Sequence, residues 1–595
     1  MIDSDFYSQP PTLAPIFLLH LDFKMTDNRA KNEIIKENSN LLRGGIAEGL
    51  GNVVTGALED DDTVLLKFHG SYMQDDRDIR AERSKKKLEK AYSFMIRLRI
   101  PGGLVTAKQW AALDDIATTY ANGTLRITTR ETFQYHGIIK SNLRTTMQAI
   151  HAACLDSLAA CGDVNRNVLS TANPYLSPVH KQAYELAKGL SEHLLPKTGA
   201  YHEIWLDGEK VSDESRPAAA ETEPLYGPHY LPRKFKIVVA VPPDNDVDVF
   251  AHCLGYIAIV EGGKLVGYNV TVGGGMGMTH GELDTFPRTA DVMGFCSPEQ
   301  AIDVGEKVMT VQRDWGNRIV RKRARLKYTI EDRGIDAFRA EVEKRIGYKL
   351  GAPRAYTFER TGDALGWRQS ADKKWHLTAF VENGRLKDQP GHTARKAVRE
   401  IADLGICEFV VSANQNLMFV NVAAKNKAKI EAVLAAHGVL VGASSGLRRN
   451  AMSCVALPTC GLALAEAERY LPTLVTEIEH LLEAAGLRDD DIVIRMTGCP
   501  NGCARPYLAE IGFVGRGPGL YNLYLGAAFD GSRLSKMYAQ DVGHERILAL
   551  LAPIIARYAK ERLAGERFGD FTIRAGFVKA TTAGNQFHAD VALAT

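Results

Sequence analysis

Four cysteines in two closely spaced pairs constrain this chain more than any other feature. Five residues separate Cys454 from Cys460, and three separate Cys499 from Cys503. The second pair follows a strand-like run, 492–496, and Pro-Asn-Gly lies between its two members, a sequence typical of a tight turn. Such a turn would direct both thiols into one space, so the two pairs are candidates for the corners of a single metal site.

Three interpretations of the cysteines are open on spacing alone. A [4Fe–4S] cluster takes four thiolates. Structural zinc also binds cysteine, but about two to four residues usually separate paired zinc ligands, and the gap between Cys454 and Cys460 fits that pattern poorly. The thiols could instead be buried and free, or form disulfides, although nothing in the sequence indicates the oxidising compartment that disulfides need.

Composition narrows the class of protein. The 595 residues are 45% hydrophobic and 24% charged, values typical of a globular protein too long for one core, and about two to four domains are expected. A net charge of +2 gives no overall attraction to nucleic acid, and no apolar run reaches the ~20 residues that span a bilayer. The other five cysteines are scattered, which favours a reducing cytoplasm. We therefore expect a cytoplasmic protein with neither nucleic acid nor membrane as partner.

The first 24 residues differ from the rest of the chain. They hold a short apolar run, 14–21, but acidic residues flank it where a signal peptide would have basic and then small residues. We expect residues 1–24 to be a disordered extension, with the main body beginning near Met25.

A second informative stretch, 126–136, alternates polar and other residues. In a single strand its polar members would share one face, and they are Arg126, Thr128, Arg130, Thr132, Gln134 and His136. A row with two or three positive charges is costly to bury without anions. This face is therefore either exposed to solvent or the wall of an anion site.

An internal repeat indicates two related halves. Residues 409–419 echo 126–136, and a helical pattern precedes each copy, at 396–404 and at 110–117. Residues 167–174 similarly echo the region of the first cysteine pair. The cysteines lie only in the second half and the basic strand only in the first, so a large cofactor could bind between the halves.

Two further basic segments are candidates for anion binding. Residues 231–241 read as a strand, which would place Lys234 and Lys236 on one face. The run 313–327 is densely basic and is either a solvated helix or a contact for an anionic cofactor.

The motif Met-Thr-Gly-Cys-Pro-Asn-Gly-Cys-Ala-Arg-Pro at 496–506, preceded by Cys-x5-Cys, resembles the cluster-and-sirohaem motif of sulfite and nitrite reductases. The resemblance runs from about residue 42 to about residue 579 and is strongest to the haemoprotein components of NADPH-dependent assimilatory sulfite reductases. It implies an α+β (mixed α/β) fold with three domains and an internal pseudo-two-fold repeat. The implied divisions are an N-terminal arm (25–94), a central ferredoxin-like repeat domain (95–159 with 367–441), a first sirohaem and substrate domain (160–366), and a [4Fe–4S] and sirohaem domain (442–595).

The resemblance also implies roles for individual residues. The cluster ligands would be Cys454, Cys460, Cys499 and Cys503, and the sulfur of Cys503 would also be the axial ligand of the sirohaem iron. The residues around the open face of that iron would be Arg97, Arg166, Lys234 and Lys236. The contacts to the sirohaem rim would be Arg126, Thr128, Arg130, Gln134, Arg233 and Asn501.

The implied reaction is the six-electron reduction of sulfite to sulfide, in sulfate assimilation and cysteine biosynthesis. No Rossmann fingerprint or flavin motif is visible in the chain, so the electrons must come from another protein. The resemblance implies a flavoprotein α component that uses NADPH, FAD and FMN. The alternative is a ferredoxin-dependent sulfite or nitrite reductase.

Two hypotheses from other classes stay open at this point. An iron–sulfur RNA-binding protein would use the basic run 313–327, but the near-neutral net charge and the lack of aromatic residues within that run disfavour it. A zinc scaffold would use the four cysteines structurally.

Overall fold

The computed structural model describes residues 28–198, 205–206, 209–210, 223–439, 441–442, 444–591 and 593–594. The extension expected at 1–24 lies outside the described residues. Within them the chain forms four five-stranded sheets, two two-stranded ribbons and the helices that cover them.

Two of the sheets come from the two copies of the repeat, and each takes one short strand from the other copy. The first repeat sheet has the spatial order Ser71–Asp75, Tyr92–Arg97, Phe133–Ile138, Leu125–Ile127 and Arg385–Leu386. The second has the order Gly366–Gln369, Trp375–Ala379, Leu417–Val422, Glu408–Val411 and Leu104–Val105. The last strand of each sheet is the exchanged one, so neither copy completes its sheet alone.

The repeat sheets share one core with their helices, which are Ala107–Thr119, Leu143–Ala152, Ala394–Asp403 and Lys427–Ala436. Thr106 begins the first of these helices with a capping box, because its hydroxyl accepts from the Gln109 amide. The fully buried ring of Trp110 lies 5.4 Å from Phe133 of the first copy and 4.8 Å from Phe409 of the second. The predicted repeat and its two helices are therefore confirmed.

The repeat extends into two flanking sheets with one topology. The first flanking sheet has the order Leu169–Ser170, Ile237–Ala240, Leu254–Glu261, Lys264–Val272 and Asp291–Cys296. The second has the order Ala451–Ser453, Ile494–Thr497, Ile511–Gly517, Leu520–Leu525 and Lys536–Val542. In both, the first three strands are parallel and the last two antiparallel. Both cysteine pairs follow the first two strands of the second flanking sheet.

The remaining elements surround the sheets. Helices beside the first flanking sheet are Pro178–His193, Ala301–Trp315, Leu326–Arg333 and Ile335–Ile346, and the ribbons pair Trp205–Leu206 with Glu209–Lys210 and Asp388–Gln389 with His392–Thr393. Helices in the last part are Gly446–Arg449, Leu471–Ala484, His544–Glu561 and Phe568–Arg574. The segment expected as an extended arm contains four short helices, Lys31–Glu37, Ile46–Gly51, Asp60–Leu66 and Arg80–Lys85.

Two sequence predictions of regular structure were wrong in extent. The strand expected at 231–241 is regular only over Ile237–Ala240, because the preceding residues bond to the 163–166 backbone instead. The run 313–327 is not one helix: the helix Ala301–Trp315 ends inside it, and Leu326–Arg333 begins near its end.

Replacement of Trp110 by alanine should destabilise the repeat domain by about 3–5 kcal/mol, because it removes the ring that packs on both copies. Thermal unfolding should show a clearly lowered melting temperature. Lys108→Ala, an exposed change in the same helix, is the matched control and should leave it unchanged. Equal melting temperatures for the two variants would contradict a shared core.

Candidate active site

A cavity of about 680 Å³ lies where the repeat sheets and both flanking sheets meet. All fourteen residues that the sequence predicted for the site line it. They are Arg97, Arg126, Thr128, Arg130, Gln134, Arg166, Arg233, Lys234, Lys236, Cys454, Cys460, Cys499, Asn501 and Cys503. The fold thus brings them together, and the role of each one stays a prediction.

The four cysteines lie on one side of this cavity. Cys454 follows Ala451–Ser453 and Cys499 follows Ile494–Thr497, and because these strands are parallel neighbours, their ends are adjacent. The Gly498 amide donates to Cys454 Sγ at 3.3 Å, and Asn501 Nδ2 donates to Cys499 Sγ at 3.5 Å. Both sulfurs therefore accept a hydrogen bond, while burial raises the pKa of both thiols above its ordinary value.

Glycines allow the cysteine loops to pack this closely. Gly502 has a φ of +60°, and a Cβ there would lie 3.1 Å from the Met276 carbonyl oxygen. A Cβ on Gly498 would lie only 2.5 Å from the Ala465 carbonyl oxygen. Any side chain at either position would thus force the loops apart.

The arrangement of the thiols differs from that of a closed zinc site. A zinc ion would draw its ligands to about 2.3 Å from one point. Among the described residues, no group of three or more His, Cys, Asp or Glu side chains converges on a single metal ion in this way. All four cysteines line the open cavity.

The cavity lining carries a large excess of positive charge. Eleven of the lining residues are basic and one, Asp163, is acidic. The basic residues are Lys67, Arg97, Arg126, Arg130, Arg166, Arg233, Lys234, Lys236, Arg321, Arg325 and Arg505. Two of them have acidic partners behind the wall, since Arg126 pairs with Glu468 and Arg505 with Asp248. The remaining charge is costly to bury unless a polyanion enters the cavity.

Sequence reasoning did not assign Lys67, Arg321, Arg325 or Arg505 to the site. Arg321 and Arg325 belong to the basic run 313–327, so part of this run faces the cavity. Arg313 of the same run pairs with Asp314 instead. Arg505 stood in the recognised motif, but only its three-dimensional position reveals that it also bonds the Thr129 carbonyl oxygen, at 3.2 Å.

The alternating stretch 126–136 is a hairpin rather than one strand. Leu125–Ile127 pairs with Phe133–Ile138, which makes Arg126 and Gln134 cross-strand neighbours on one face. The solvent-facing interpretation is wrong, because Arg126, Arg130 and Gln134 are all less than 8% exposed. Thr132 does not line the cavity with the other polar residues of this stretch. Its hydroxyl donates to the Leu98 carbonyl oxygen at 2.6 Å instead.

Contacts on this face orient the guanidinium groups. Arg130 Nη1 donates to His252 Nδ1 at 3.3 Å, so His252 must carry its proton on Nε2, which donates to the Val247 carbonyl oxygen at 3.0 Å. When its amide oxygen faces Arg97, Gln134 accepts from Nε at 3.1 Å and from Nη2 at 2.5 Å. These partners hold two cations at fixed positions.

Several buried polar atoms around the cavity have no hydrogen-bond partner within the described chain. They are Gln74 Oε1, Arg130 Nε, both ring nitrogens of His136, Arg325 Nε and Gln415 Oε1. Orphaned polar groups of this kind are rare in folded proteins and indicate a missing partner. Arg130 Nε and Arg325 Nε are donors, and with the cation excess they fit a large ligand that carries several carboxylates, as sirohaem does. The two glutamine oxygens are acceptors and need a donor instead.

Burial and nearby positive charges also lower the pKa values of the two lysines of the site, Lys234 and Lys236. Burial lowers the pKa of Lys234 to about 7, and the charges of Arg233 and Arg325 contribute. Burial lowers the pKa of Lys236 well below its ordinary value, with Arg130 and Lys234 as the next causes. Both amines can therefore exchange a proton far more easily than a surface lysine.

The second copy of the repeat has different side chains at the positions that face the large cavity in the first copy. The turn between Glu408–Val411 and Leu417–Val422 matches that of the first hairpin, down to a positive φ at Gln415 and at Glu131. At positions equivalent to Arg126, Gln134 and His136, this copy has the apolar residues Val410, Met418 and Val420, which pack on Ala172. Ala172 and Met418 line only a small cavity of about 30 Å³ at this place, which also includes Asp246 and Asp363.

Family models match two parts of the chain. Residues 187–350 match "Nitrite and sulphite reductase 4Fe-4S domain", and residues 86–153 and 368–437 match "Nitrite/Sulfite reductase ferredoxin-like half domain". The chain belongs to the nitrite and sulfite reductase family, and it is an oxidoreductase. The resemblance seen in the sequence is confirmed.

Two named relatives are similar in sequence to this chain over nearly its full length. A protein of Methylobacterium nodulans, "Sulfite reductase [NADPH] hemoprotein beta-component", is 61% identical over 98% of this chain and 96% of its own. The protein of the same name from Geobacillus thermodenitrificans is 57% identical over 93% of this chain and 97% of its own. The solved structure of Mycobacterium tuberculosis NirA has the same fold, with a TM-score of 0.74, 24% identity, and coverage of 92% of this chain and 96% of NirA.

In the part of the chain that the structure describes, no helix is both long and apolar enough to cross a membrane.

The lowered pKa of Lys234 should make the stability of the cofactor-free chain depend on pH. Between about pH 7 and the ordinary lysine pKa of ~10.4, the unfolded chain binds more protons than the folded one, so the free energy of unfolding should rise with pH. Lys234→Met should make this rise smaller, and urea unfolding between these pH values measures it. Lys264→Met, at an exposed strand end, is the control. Identical slopes in wild type and Lys234→Met would contradict the shift.

Proposed function

We propose that this chain is the haemoprotein component of a sulfite reductase, which reduces sulfite to sulfide with six electrons. The observation that carries the proposal is one cavity lined by four cysteines and by eleven basic residues against a single acidic one. The names of the relatives support sulfite as the substrate.

The cysteines and the basic wall would hold two cofactors. Cys454, Cys460, Cys499 and Cys503 would bind a [4Fe–4S] cluster, and Cys503, the most exposed of them to the cavity, would also be the axial ligand of sirohaem. The residues that would bind the sirohaem rim are Arg126, Thr128, Arg130, Gln134, Arg233 and Asn501. When bound, these cofactors would supply a metal centre for the sulfur atom and a route for electrons.

The remaining cations would bind the substrate and supply protons to it. Sulfite is a small oxyanion, and Arg97 and Arg166 can donate to its oxygens. Arg166 is held for this task by the carbonyl oxygens of Gly162 and Ala160, at 2.7 and 3.2 Å. Lys234 and Lys236 would add charge and deliver protons as oxygen leaves as water, and the pKa of Lys234, about 7, suits both the loss and the recovery of a proton at neutral pH.

The electron donor would be a separate chain. We propose a flavoprotein α component that carries FAD and FMN and oxidises NADPH, as the word "[NADPH]" in the relatives' names suggests. Ferredoxin is the alternative donor. We place the reaction in the cytoplasm, in sulfate assimilation and cysteine biosynthesis, and retain 25–94, 95–159 with 367–441, 160–366 and 442–595 as its proposed domains.

Steady-state turnover with an artificial reductant tests the proposal. Sulfite and nitrite should be compared at equal enzyme concentration, with reduced methyl viologen as donor. We expect the higher kcat/KM with sulfite, because the relatives are named for it. A higher kcat/KM with nitrite would favour nitrite reduction instead, and no turnover of either would reject the proposal.

Lys236→Ala should lower kcat/KM for sulfite by about 10- to 100-fold, the cost of a lost charged hydrogen bond. The absorption spectrum should be unchanged, because Lys236 is assigned to the substrate rather than to the cofactors. Lys264→Ala, an exposed lysine of the same flanking sheet, is the control. Full activity of the Lys236 variant would remove this lysine from the site.

A further inference from the structure

The N-terminal helix Lys31–Glu37 carries a buried ion pair. Lys36 and Glu33 are each 1% exposed, and Lys36 Nζ lies 2.7 Å from Glu33 Oε1. Desolvation cancels much of the attraction within such a pair, so a buried ion pair is weak evidence for stability. A specific geometric role is a better explanation for a lysine at this position.

A second contact of Lys36 shows what that role is. Its Nζ donates to the Leu231 carbonyl oxygen at 2.8 Å. On the other side, the Leu231 amide donates to the Asp163 carbonyl oxygen at 3.0 Å, and Arg321 donates to the Pro232 carbonyl oxygen at 3.3 Å. Three bonds therefore fix the two residues that come directly before Arg233 and Lys234.

Asp163 joins Lys36 to the cavity wall. Its carboxylate accepts from Arg321 at 2.8 and 3.1 Å and lies 3.6 Å from Lys36 Nζ and 3.8 Å from Arg233. Burial alone would raise the pKa of Asp163, but Arg321, Lys36 and Arg233 hold it well below its usual range. The one acidic side chain of the cavity lining is thus ionised and binds three cations.

The same segment aligns the other substrate residues. The Phe235 amide donates to the Val164 carbonyl oxygen at 3.1 Å, and the Arg166 amide donates to the Phe235 carbonyl oxygen at 3.0 Å. The backbone that carries Lys234 and Lys236 is therefore in register with the backbone that carries Arg166. A shift at Leu231 would move all of these cations relative to one another.

We infer that Lys36 is a positioning residue for the reaction: together with Asp163, it fixes the 231–236 segment so that Arg166, Lys234 and Lys236 converge on the substrate. The inference rests on the proposed function for its substrate. It assigns a catalytic purpose to the docking of the helix Lys31–Glu37, whose Asn32 also lines the cavity. Lys36 itself acts only through the Leu231 carbonyl oxygen and Asp163, and it does not line the cavity.

Lys36→Met tests this inference, because methionine fills a similar volume but cannot donate a hydrogen bond. We expect kcat/KM for sulfite to fall about tenfold or more, the effect of one lost charged hydrogen bond on the geometry of the site. The absorption spectrum should be unchanged. Lys36→Arg, which keeps a donor, should recover part of the activity. Lys31→Met is the matched control on the same helix, since Lys31 forms an exposed pair with Asp61, and it should keep wild-type activity.

A second readout needs neither cofactor nor substrate. Without its anchor, Lys234 should become less buried and lie farther from Arg325, so its pKa should rise towards the ordinary value. Burial also lowers the pKa of Lys36 itself, so the reference is Lys36→Arg, which removes that titration but keeps a donor. The increase in unfolding free energy of the cofactor-free chain between pH 7 and ~10 should be smaller in Lys36→Met than in Lys36→Arg. A structural role alone would give the two variants the same increase.

The outcomes separate the inference from the proposed function. Wild-type activity of Lys36→Met together with the pH slope of Lys36→Arg would overturn the inference, and so would a uniform loss of stability with unchanged kcat/KM. If the wild type itself fails to reduce sulfite, the proposed function fails, and the pH slope still decides whether Lys36 positions Lys234. If Lys36→Met does not fold, the variant Glu33→Gln/Lys36→Met, which removes both charges of the pair, is judged by the same two readouts.

Discussion

Uncompensated positive charge around one cavity is the constraint on which the rest of this structure depends. Eleven basic residues and one acidic residue line the cavity, and burying so many like charges without anions costs free energy. The cavity is therefore suited to a polyanion. The acids behind the wall, Glu468 and Asp248, fix individual arginines without cancelling the charge that faces inwards. The cysteine loops complete the cavity from the other side, and a metal cluster there would meet the anionic ligand directly.

Both copies of the pseudo-two-fold repeat contribute to this site, and they have the same strand topology. Exchange of Leu104–Val105 and Arg385–Leu386 joins the two copies, and the flanking sheets repeat the same order of strands. The two hairpins differ in their side chains. One hairpin presents arginine and glutamine to the cavity, whereas the other packs valine and methionine at the equivalent positions. The first copy thus contributes the basic hairpin, and the second contributes the cysteine loops.

The sequence predicted the parts of the site that depend on local spacing. Each of these features lies within a short segment of sequence: the cysteine pairs, the alternating stretch and the repeated helix patterns. The resemblance to the family motif then indicated that they form one site. Contacts between residues that lie far apart in the sequence could not be predicted. Nothing near Asp163 in the sequence points to Lys36 or Arg321, and Lys67 is an ordinary lysine until the N-terminal helices dock. The hairpin at 126–136 was predicted as one strand because its turn contains no glycine or proline; Glu131 adopts the positive φ instead.

The central claim is that the four cysteines hold an iron–sulfur cluster next to sirohaem, and chemical analysis of the purified chain tests it most directly. Iron, acid-labile sulfide and zinc should be quantified on the same sample whose absorption spectrum is recorded. The account predicts about four irons with matching sulfide, one further haem iron, and a sirohaem Soret band. Zinc as the only metal, or iron without a haem spectrum, would contradict it.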